Sequence, residues 1–286
     1  MAKISHITTC KGRLDHLRQT LPTVASQRDV ESIVVDYDCP DGTAAWVAAN
    51  LPEVTVVRVS ESAGFHLTRA RNLGAAAATA PWLAFFDADI AWAPTFAEQL
   101  IAQLEPNCYF RANPMSLQTW GSVVCNRSDF SRIGGYDESF IGWGGEDEDL
   151  YMRLTMAGCR QLAFDGGLVR EIPHGDDRRV EHYEVKNKTL QHRINILYLN
   201  VKSDLMCLHP NGMSADVRQR VYKEIKASVL KADRANLSHA EVTVNLPTSW
   251  MNPPPVAGRI ERWPLLRAFT YRIGMTSGPI DSGPGN

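Results

Sequence analysis

Four consecutive carboxylates in the run Glu146–Asp149 follow a glycine-rich loop that contains Trp143, Gly144 and Gly145. Apolar residues at helical spacing begin at Leu150, which predicts that the acids occupy the first turn of a helix. The helix dipole favours acidic residues there, so helix capping is one explanation of the run. Four adjacent carboxylates also repel one another, and a cation or a hydroxyl-bearing ligand would relieve that repulsion. The run is therefore an active-site candidate.

A second pair of acids, Asp87 and Asp89, directly follows the apolar segment Trp82–Phe86. Ligands of open α/β sheets bind at the carboxyl ends of strands. If the chain turns there, both carboxylates can reach one hard cation, which also takes phosphate oxygens and water. Acids after a strand also serve as turn formers or as the N-cap of the next helix, and the triplet alone leaves that alternative open.

The elements that position these acids alternate between strand and helix in the first half of the chain. This alternation predicts an α/β fold with a mostly parallel, Rossmann-like sheet flanked by helices. The predicted strands are Ile4–Thr9, Ile33–Asp36, Val54–Val59 and Trp82–Phe86, and the predicted helices contain Leu14–Val24, a segment ending at Ala49, and Thr68–Ala78. Later segments are less regular: helices at Pro94–Leu104 and Ser128–Ile133, and strands at Ser122–Asn126, Gln161–Phe164 and Leu168–Ile172.

We expect a catalytic domain over residues 1–200 and a smaller helical C-terminal extension with a flexible tail over residues 201–286. In the extension, apolar residues from Val217 to Val229 recur every four residues on a charged helix, and Pro247–Pro255 is a proline-rich connector. Arg259–Arg272 mixes arginines with aromatic residues. It could contact an anionic membrane surface peripherally, or its apolar residues could pack on the core. The interruption at Pro264 favours packing.

Composition excludes several classes of protein. A formal net charge of −2 gives no overall basic surface, so we expect no nucleic-acid partner. The N-terminus resembles no secretory signal and no apolar run is long enough to span a bilayer, which predicts a cytoplasmic protein, with peripheral contact at the inner face of a membrane as an alternative. The six cysteines are scattered without Cys-x-x-Cys pairs, so we interpret them as reduced thiols.

Five segments together resemble the GT-A fold glycosyltransferases that use nucleotide sugars. They are Thr8–Arg13, Val34–Asp36, Asp41–Thr43, Ala70–Gly74 and the pair Asp87 and Asp89, in this order. The later Trp143-Gly144-Gly145-Glu146-Asp147 resembles the signature of the β-1,4-galactosyltransferases and of bacterial chondroitin-type polymerases. The resemblance covers about residues 3 to 175.

The resemblance implies a role for each matching residue. Those beside the nucleotide, diphosphate and sugar are Thr8, Thr9, Arg13, Asp36, Arg69, Arg71 and Asn72, with Asp36 accepting from uracil. Asp87 and Asp89 would hold the ribose and a divalent cation, and His174 would be a further ligand, which suits Mn²⁺ better than Mg²⁺. Trp143, Gly144 and Gly145 would contact sugar, Asp147 would be the general base, and Glu146 would contact the donor sugar or the acceptor.

These residues predict an inverting, metal-dependent enzyme that moves a hexose or N-acetylhexosamine from a UDP-sugar to a hydroxyl of a glycan or lipid-linked saccharide. One alternative is a nucleotidyltransferase that makes a nucleotide sugar, although the turn after the first strand has only Gly12 where a glycine-rich phosphate loop is expected. Another alternative is a non-catalytic carbohydrate-binding relative. Fold alone does not decide between them.

Overall fold

The computed structural model describes residues 1–60, 64–116, 119–175, 177–208, 213–246 and 267–275. The chain divides into two compact units, residues 1–188 and 189–286. The division between the units falls at the first residues of a long helix, and the expected division into residues 1–200 and 201–286 stays a prediction. No helix within the described ranges combines the length and the apolar character needed to cross a bilayer.

The first unit begins with strands and helices in alternation. The elements are β1 (Ile4–Cys10), α1 (Leu14–Ala25), β2 (Val30–Tyr37), α2 (Thr43–Asn50), β3 (Thr55–Val59), α3 (Leu67–Ala77) and β4 (Trp82–Phe85). The four strands are parallel, in the order β3, β2, β1, β4. Every residue of β1 is buried, as expected for a strand covered on both faces by helices.

The second half of this unit extends the sheet with mixed strand directions. It contains β5 (Ile90–Trp92), α4 (Phe96–Ile101), β6 (Cys108–Asn113), β7 (Val123–Asn126), α5 (Arg127–Arg132), α6 (Glu146–Met156), β8 (Arg160–Asp165), β9 (Val169–Glu171) and α7 (Asp177–Val180). The seven-stranded sheet has the order β3, β2, β1, β4, β7, β6, β8, with β7 antiparallel to both neighbours. The short strands β5 and β9 pair separately.

The core of this unit lies on both faces of the sheet. One cluster of buried aromatic residues includes Phe86, Trp92 and Phe96, whose rings contact one another edge to face. The opposite cluster packs Leu150 and Leu154 of α6 against the sheet. Because α6 is fixed by this apolar face, its N-terminus is held at one end of the sheet.

The second unit contains two long helices and a pair of strands. They are α8 (Lys188–Leu208, beginning at the last residue of the first unit), α9 (Ala215–Arg234), β10 (His239–Leu246) and β11 (Arg267–Gly274). Strands β10 and β11 are antiparallel, and Arg272 contacts Glu241 at 2.6 Å. The expected helix around Val221 is present, whereas the strands were not predicted. The proline-rich connector, residues 259–266 and the expected flexible tail lie outside the described residues.

The prediction of an α/β fold with a mostly parallel sheet flanked by helices is confirmed. The antiparallel insertion of β7 explains why the second half departs from regular alternation in the sequence. It also places the beginning of β7 beside the end of β4, where Val123 pairs with Phe85 just before Asp87 and Asp89.

Candidate active site

A small cavity of about 110 Å³ opens where β1 and β4 end. Six of the residues that line it were predicted from the sequence: Thr9, Arg13, Asp87, Asp89, Trp143 and His174. A larger cleft of about 1070 Å³ lies beside it, lined in part by Gly12, Pro40 and Asp41 from the loops after β1 and β2. Its size is at the upper end of the range for small-molecule sites, enough for a nucleotide.

Arg71 joins two of the predicted acids. Its Nη1 donates to Asp147 Oδ1 at 2.6 Å, and its Nη2 donates to Asp87 Oδ1 at 2.9 Å. The guanidinium lies 5.0 Å from the centre of the Tyr136 ring, and only 3% of the side chain is exposed. A buried cation between two carboxylates offsets the cost of holding those carboxylates close together.

Gly121 allows this arrangement at close range. A Cβ atom at position 121 would lie 2.8 Å from Asp147 Oδ2 and 3.2 Å from Arg71 Nη2. The first distance is shorter than carbon–oxygen contacts in folded proteins, so any side chain here would displace the ion pair. The backbone before β7 therefore forms one wall around Asp147.

The four acids of α6 separate into different environments. Gly145, at φ 87°, begins the helix in the left-handed region that glycine adopts without steric cost. Glu146 and Asp147 are buried at its N-terminus. Asp149 is fully buried and accepts from Arg153 Nε and Nη2 at 2.8 and 2.6 Å, which makes it a structural ion pair. Glu148 is only half-buried.

Burial is the largest influence on the pKa values of Glu146 and Asp147. It raises the pKa of Asp147, while the charge of Arg71 opposes this and that of Asp87 adds to it. Burial and the charge of Asp147 raise the pKa of Glu146 well above its ordinary value. The Oε2 atom of Glu146 has no hydrogen-bond partner within the part of the chain that the structure describes. An unpaired buried oxygen of this kind is suited to bind a ligand hydroxyl.

Asp89 and His174 face each other across the cavity. His174 Nε2 lies 2.7 Å from Asp89 Oδ2, its Nδ1 lies 3.0 Å from the Gly175 carbonyl oxygen, and its ring stacks on His16 at 5.3 Å. Burial and the charge of Asp87 raise the pKa of Asp89, against the lowering effect of His174. An adjacent carboxylate and imidazole are donors that fit Mn²⁺.

Within the described ranges, two such donors lie side by side rather than three. Asp87, the third predicted ligand, is turned towards Arg71. Among the described residues, no group of three or more His, Cys, Asp and Glu side chains is arranged to hold a metal. Asp89 and His174 therefore fit a divalent cation whose remaining ligands come from a bound diphosphate and water.

Two family models match overlapping parts of the chain. Residues 5–111 match glycosyl transferase family 2, and residues 105–192 match the N-terminal domain of galactosyltransferase. Each model covers less than half of the chain, and together they match glycosyltransferase domains over residues 5–192. The predicted enzyme class and family resemblance are thereby confirmed at the level of these domains.

The chain is similar to known glycosyltransferases over part of its length. The validoxylamine A glucosyltransferase of Streptomyces hygroscopicus subsp. jinggangensis is 25% identical over 60% of this chain and 56% of that protein. The β-1,4-galactosyltransferase 2 of Cricetulus griseus is 27% identical over 44% of this chain and 30% of its own length. The chain thus spans about half the length of the Streptomyces relative.

A solved structure has the same fold. The mannosyltransferase PcManGT from Pyrobaculum calidifontis, in complex with GDP-Man and Mn²⁺, superposes with a TM-score of 0.52 at 18% identity, covering 82% of this chain and 75% of that one. The predicted GT-A fold is confirmed.

The residues predicted to lie beside a nucleotide stand at the ends of strands or directly after them. Asp36 is buried and accepts from the Cys39 and Ala44 backbone N–H groups, each at 2.8 Å, so it caps the loop after β2. Arg13 begins α1 and donates to the Arg178 carbonyl oxygen at 2.7 Å. Thr8 is buried, and its hydroxyl has no partner among the described residues.

None of the three residues of the predicted diphosphate segment, Arg69, Arg71 and Asn72, is among those that line the small cavity. Arg69 is exposed on α3. Asn72 donates to the Tyr136 carbonyl oxygen at 3.0 Å and accepts from the Tyr136 N–H at 2.9 Å, so it positions the loop that carries Tyr136. Trp143 lines the cavity, and Lys188 Nζ lies 4.3 Å from the centre of its indole ring.

Sequence reasoning missed several residues that the site uses. Gly121 and Tyr136 surround the Arg71 pair, and His182 and Tyr183 line the cavity from the segment after α7. None belongs to a motif with a recognisable spacing. The glycine-rich segment before α6 was noted as a loop, but Tyr136 was not distinguished from residues that only pack.

Proposed function

We propose that the protein is an inverting, metal-dependent glycosyltransferase that moves a hexose or N-acetylhexosamine from a UDP-sugar to a hydroxyl of a glycan or glycoconjugate. The observation that carries the proposal is the contact of one buried guanidinium, Arg71, with both Asp87 and Asp147. It joins the strand end, where a diphosphate would bind, to the carboxylate that would act as base. The chemistry of inversion needs both on opposite sides of one sugar carbon.

Departure of the nucleotide requires that the charge of its diphosphate be neutralised. Asp89 and His174 would hold a divalent cation, which supplies that neutralisation when it is bound. The complex of PcManGT with GDP-Man and Mn²⁺ supports metal use. Asp87 is 46% exposed in its side chain and can accept from the ribose of the donor.

Asp147 would remove the proton from the acceptor hydroxyl as the hydroxyl attacks the anomeric carbon. An ordinary aspartate is a weak base near neutral pH, and burial makes Asp147 a stronger one by raising its pKa. Oδ1 is oriented by Arg71, and Oδ2 lies beside Gly121. Glu146, with its unpaired Oε2, would accept a hydrogen bond from a sugar hydroxyl.

The nucleotide would lie along the ends of β1 and β2. Both oxygens of Asp36 already accept from backbone N–H groups, and each keeps a lone pair that could accept from uracil N3–H. Thr8, Thr9 and Arg13 would complete this side, and the exposed Arg69 would meet the donor only if the donor extended over α3. The acceptor, a peripheral membrane contact and a cytoplasmic location remain parts of the proposal that rest on the sequence.

A nucleotidyltransferase is the second candidate, and the site favours it less. Such an enzyme needs backbone N–H groups and a lysine around a triphosphate. The turn after β1 offers Gly12 alone, and Lys11 Nζ donates to the Asp38 carbonyl oxygen at 3.3 Å.

Hydrolysis of a panel of nucleotide sugars with Mn²⁺ or with EDTA tests enzyme class, donor and metal together. We expect release of UDP from one or a few UDP-sugars, only with the metal present. The matched control is Glu148→Gln, which removes a half-buried carboxylate of the same helix and should keep the parental release of UDP. Formation of nucleotide sugar from a nucleoside triphosphate would support the second candidate instead, and binding of sugars without any turnover would support a non-catalytic relative.

A further inference from the structure

Two cysteines meet at the edge of the sheet where β1 and β2 end. Cys10 is the last residue of β1, and Cys39 lies in the loop after β2. Their Sγ atoms are 3.9 Å apart, although 28 residues separate them in the chain. Cys10 is fully buried, whereas Cys39 is partly exposed. The pair therefore has one sulfur that solvent can reach and one that it cannot.

The polar groups around the pair differ for the two sulfurs. Cys39 Sγ accepts from the Gly12 backbone N–H at 3.2 Å, and Cys10 Sγ lies 3.2 Å from Thr43 Oγ1. The hydrogen bond from Cys10, followed by those from Thr43 and from the Asp41 and Gly12 backbones, lowers the pKa of Cys39 to about 5 against the effect of burial. The same contact with Cys39, together with burial, raises the pKa of Cys10.

The other cysteines have no comparable environment. Burial raises the pKa of Cys108, Cys125 and Cys159. Cys207 is exposed on α8. Reactivity towards oxidants follows thiolate character together with access, and a neighbouring thiol converts an oxidised cysteine into a disulfide. Among the six cysteines, only Cys39 has a hydrogen-bonded, accessible sulfur with a second thiol beside it.

We propose that Cys39 and Cys10 form a reversible oxidation site that peroxide converts into a disulfide. The Cys39 thiolate attacks one oxygen of hydrogen peroxide, the O–O bond breaks, and a sulfenic acid and water form after proton uptake. The Cys10 sulfur then attacks the Cys39 sulfur, the S–O bond breaks, and the hydroxyl leaves as water with the Cys10 proton. Two thiols are oxidised by two electrons in all, and one peroxide is reduced to two waters.

The disulfide would alter the loops that line the larger cleft. In the reduced state, Cys39 is held on both sides: its N–H donates to Asp36, and its sulfur accepts from Gly12. A disulfide draws the Cys39 sulfur towards Cys10 and removes the acceptor of the Gly12 N–H. Gly12 and Asp41 line the cleft and Arg13 follows directly, so oxidation should weaken the binding of a nucleotide there.

Peptide mapping of the full chain tests the site without any assay of activity. The reduced protein is treated with hydrogen peroxide, remaining thiols are alkylated, and the digest is analysed by mass spectrometry. We expect a peptide pair linked through Cys10 and Cys39, which dithiothreitol separates. In Cys10→Ser the oxidation should stop at a Cys39 sulfenic acid that a cyclic dione traps. In Cys39→Ser, Cys10 should remain a thiol.

Cys207→Ser is the matched control, because it removes an exposed cysteine in the second unit and should leave the linked peptides unchanged. The proposal is overturned if Cys39 of the parent chain stays alkylatable while Cys207 is oxidised, or if the parent accumulates sulfenic acid at Cys39 as Cys10→Ser does. Peptide mapping of the parent chain tests the linkage even if one of the variants fails to fold.

A second measurement tests the effect of the disulfide on nucleotide binding. We expect affinity for UDP to fall by about tenfold or more on oxidation and to return with dithiothreitol. This arm depends on the proposed function, whereas the mapping does not, so a protein that binds no UDP but forms the linkage would contradict only the proposed function. Unchanged affinity in a chain that is fully linked would overturn the proposed effect on the cleft.

Discussion

Arg71 donates to Asp147 Oδ1 at 2.6 Å while its other terminal nitrogen donates to Asp87 at 2.9 Å. Both terminal nitrogens are therefore occupied by carboxylates. A bound diphosphate would compete with these carboxylates for the guanidinium, and any weakening of the contact with Asp147 would leave that carboxylate a stronger base. In the proposed mechanism, the pair would couple the arrival of the donor to the basicity of Asp147.

Asp147→Asn should retain donor binding and lose transfer. The amide keeps the shape of the carboxylate and an oxygen for Arg71, but it cannot accept a proton. We expect the transfer rate to fall by a factor on the order of 10² to 10⁴, as for loss of a general base. Glu148→Gln, one residue away and half-buried, should change the rate little. Near-parental turnover by Asp147→Asn would assign the base elsewhere, and a product that retains the donor's anomeric configuration would contradict inversion.

Asp89→Asn and His174→Ala should each abolish Mn²⁺-dependent binding of UDP, because the two side chains lie 2.7 Å apart and would hold the cation together. Calorimetric titration of UDP with and without Mn²⁺ measures this. His66→Ala is a suitable control, since His66 contacts Thr68 and the first turn of α3 instead. Tight Mn²⁺-dependent binding of UDP by both variants would contradict the assignment of Asp89 and His174 as metal ligands.

Much of the fold was readable from the sequence because its strands are continuous apolar runs. The buried strands β1 and β2 were predicted to within a few residues. The short strands β5 and β9, of three residues each, were respectively missed and overextended, because a three-residue strand carries no periodic signal. Strands β10 and β11 pair across positions far apart in sequence, which local pattern cannot reveal.

The site was predicted as a set of residue types, but not as a set of contacts. Asp87, Asp89 and Asp147 were identified by their position after a strand or at the start of a helix. That Arg71 would contact two of them depends on how α3 and α6 pack, which no spacing encodes. Gly121 is recognisable only when the atoms beside it are known.

Gly121→Ala should reduce transfer by displacing the ion pair. Its Cβ would lie 2.8 Å from Asp147 Oδ2, so either the carboxylate or the backbone must shift. A shift near 1 Å at a catalytic group costs about 10²-fold in rate. The control is Gly64→Ala, whose Cβ would make an ordinary contact at 3.5 Å. Parental kinetics for Gly121→Ala would show that the loop relaxes freely and that Gly121 does not constrain Asp147.

Glu146→Gln should stabilise the fold at neutral pH while it impairs transfer. Because burial raises the pKa of Glu146 in the folded state, the folded chain binds a proton that the unfolded chain has released, and stability is lost as pH rises above the ordinary glutamate value. The amide of Glu146→Gln cannot ionise, so we expect the variant to be more stable than its parent at neutral pH by about 1 to 3 kcal/mol, the cost of a buried unpaired group.

Chemical unfolding of Glu146→Gln and its parent at several pH values measures the effect. The difference should shrink below about pH 4.5, where glutamate is protonated in both states. Glu148→Gln, which is only half-buried, should show no such trend. A variant that is less stable than its parent at pH 7 would mean that the ionised Glu146 has a partner that stabilises it.

His6 should make the stability of the first unit fall in mild acid. Its ring is buried in β1, 5.2 Å from the Trp92 ring, and burial lowers its pKa to about 3. The unfolded chain therefore binds a proton below about pH 6.5 that the folded chain does not, so the stability is complete above pH 6.5 and is lost as pH falls towards 3. Relative to His6→Phe, the parent should lose up to about 1.4 kcal/mol of unfolding free energy per pH unit across this window.

Denaturant titrations between pH 7 and 5 measure this dependence of stability on pH. The control is His239→Gln, which changes an exposed histidine of β10 and should keep the parental slope. Equal slopes for His6→Phe and its parent would show that His6 takes up its proton as readily in the folded chain as in the unfolded one.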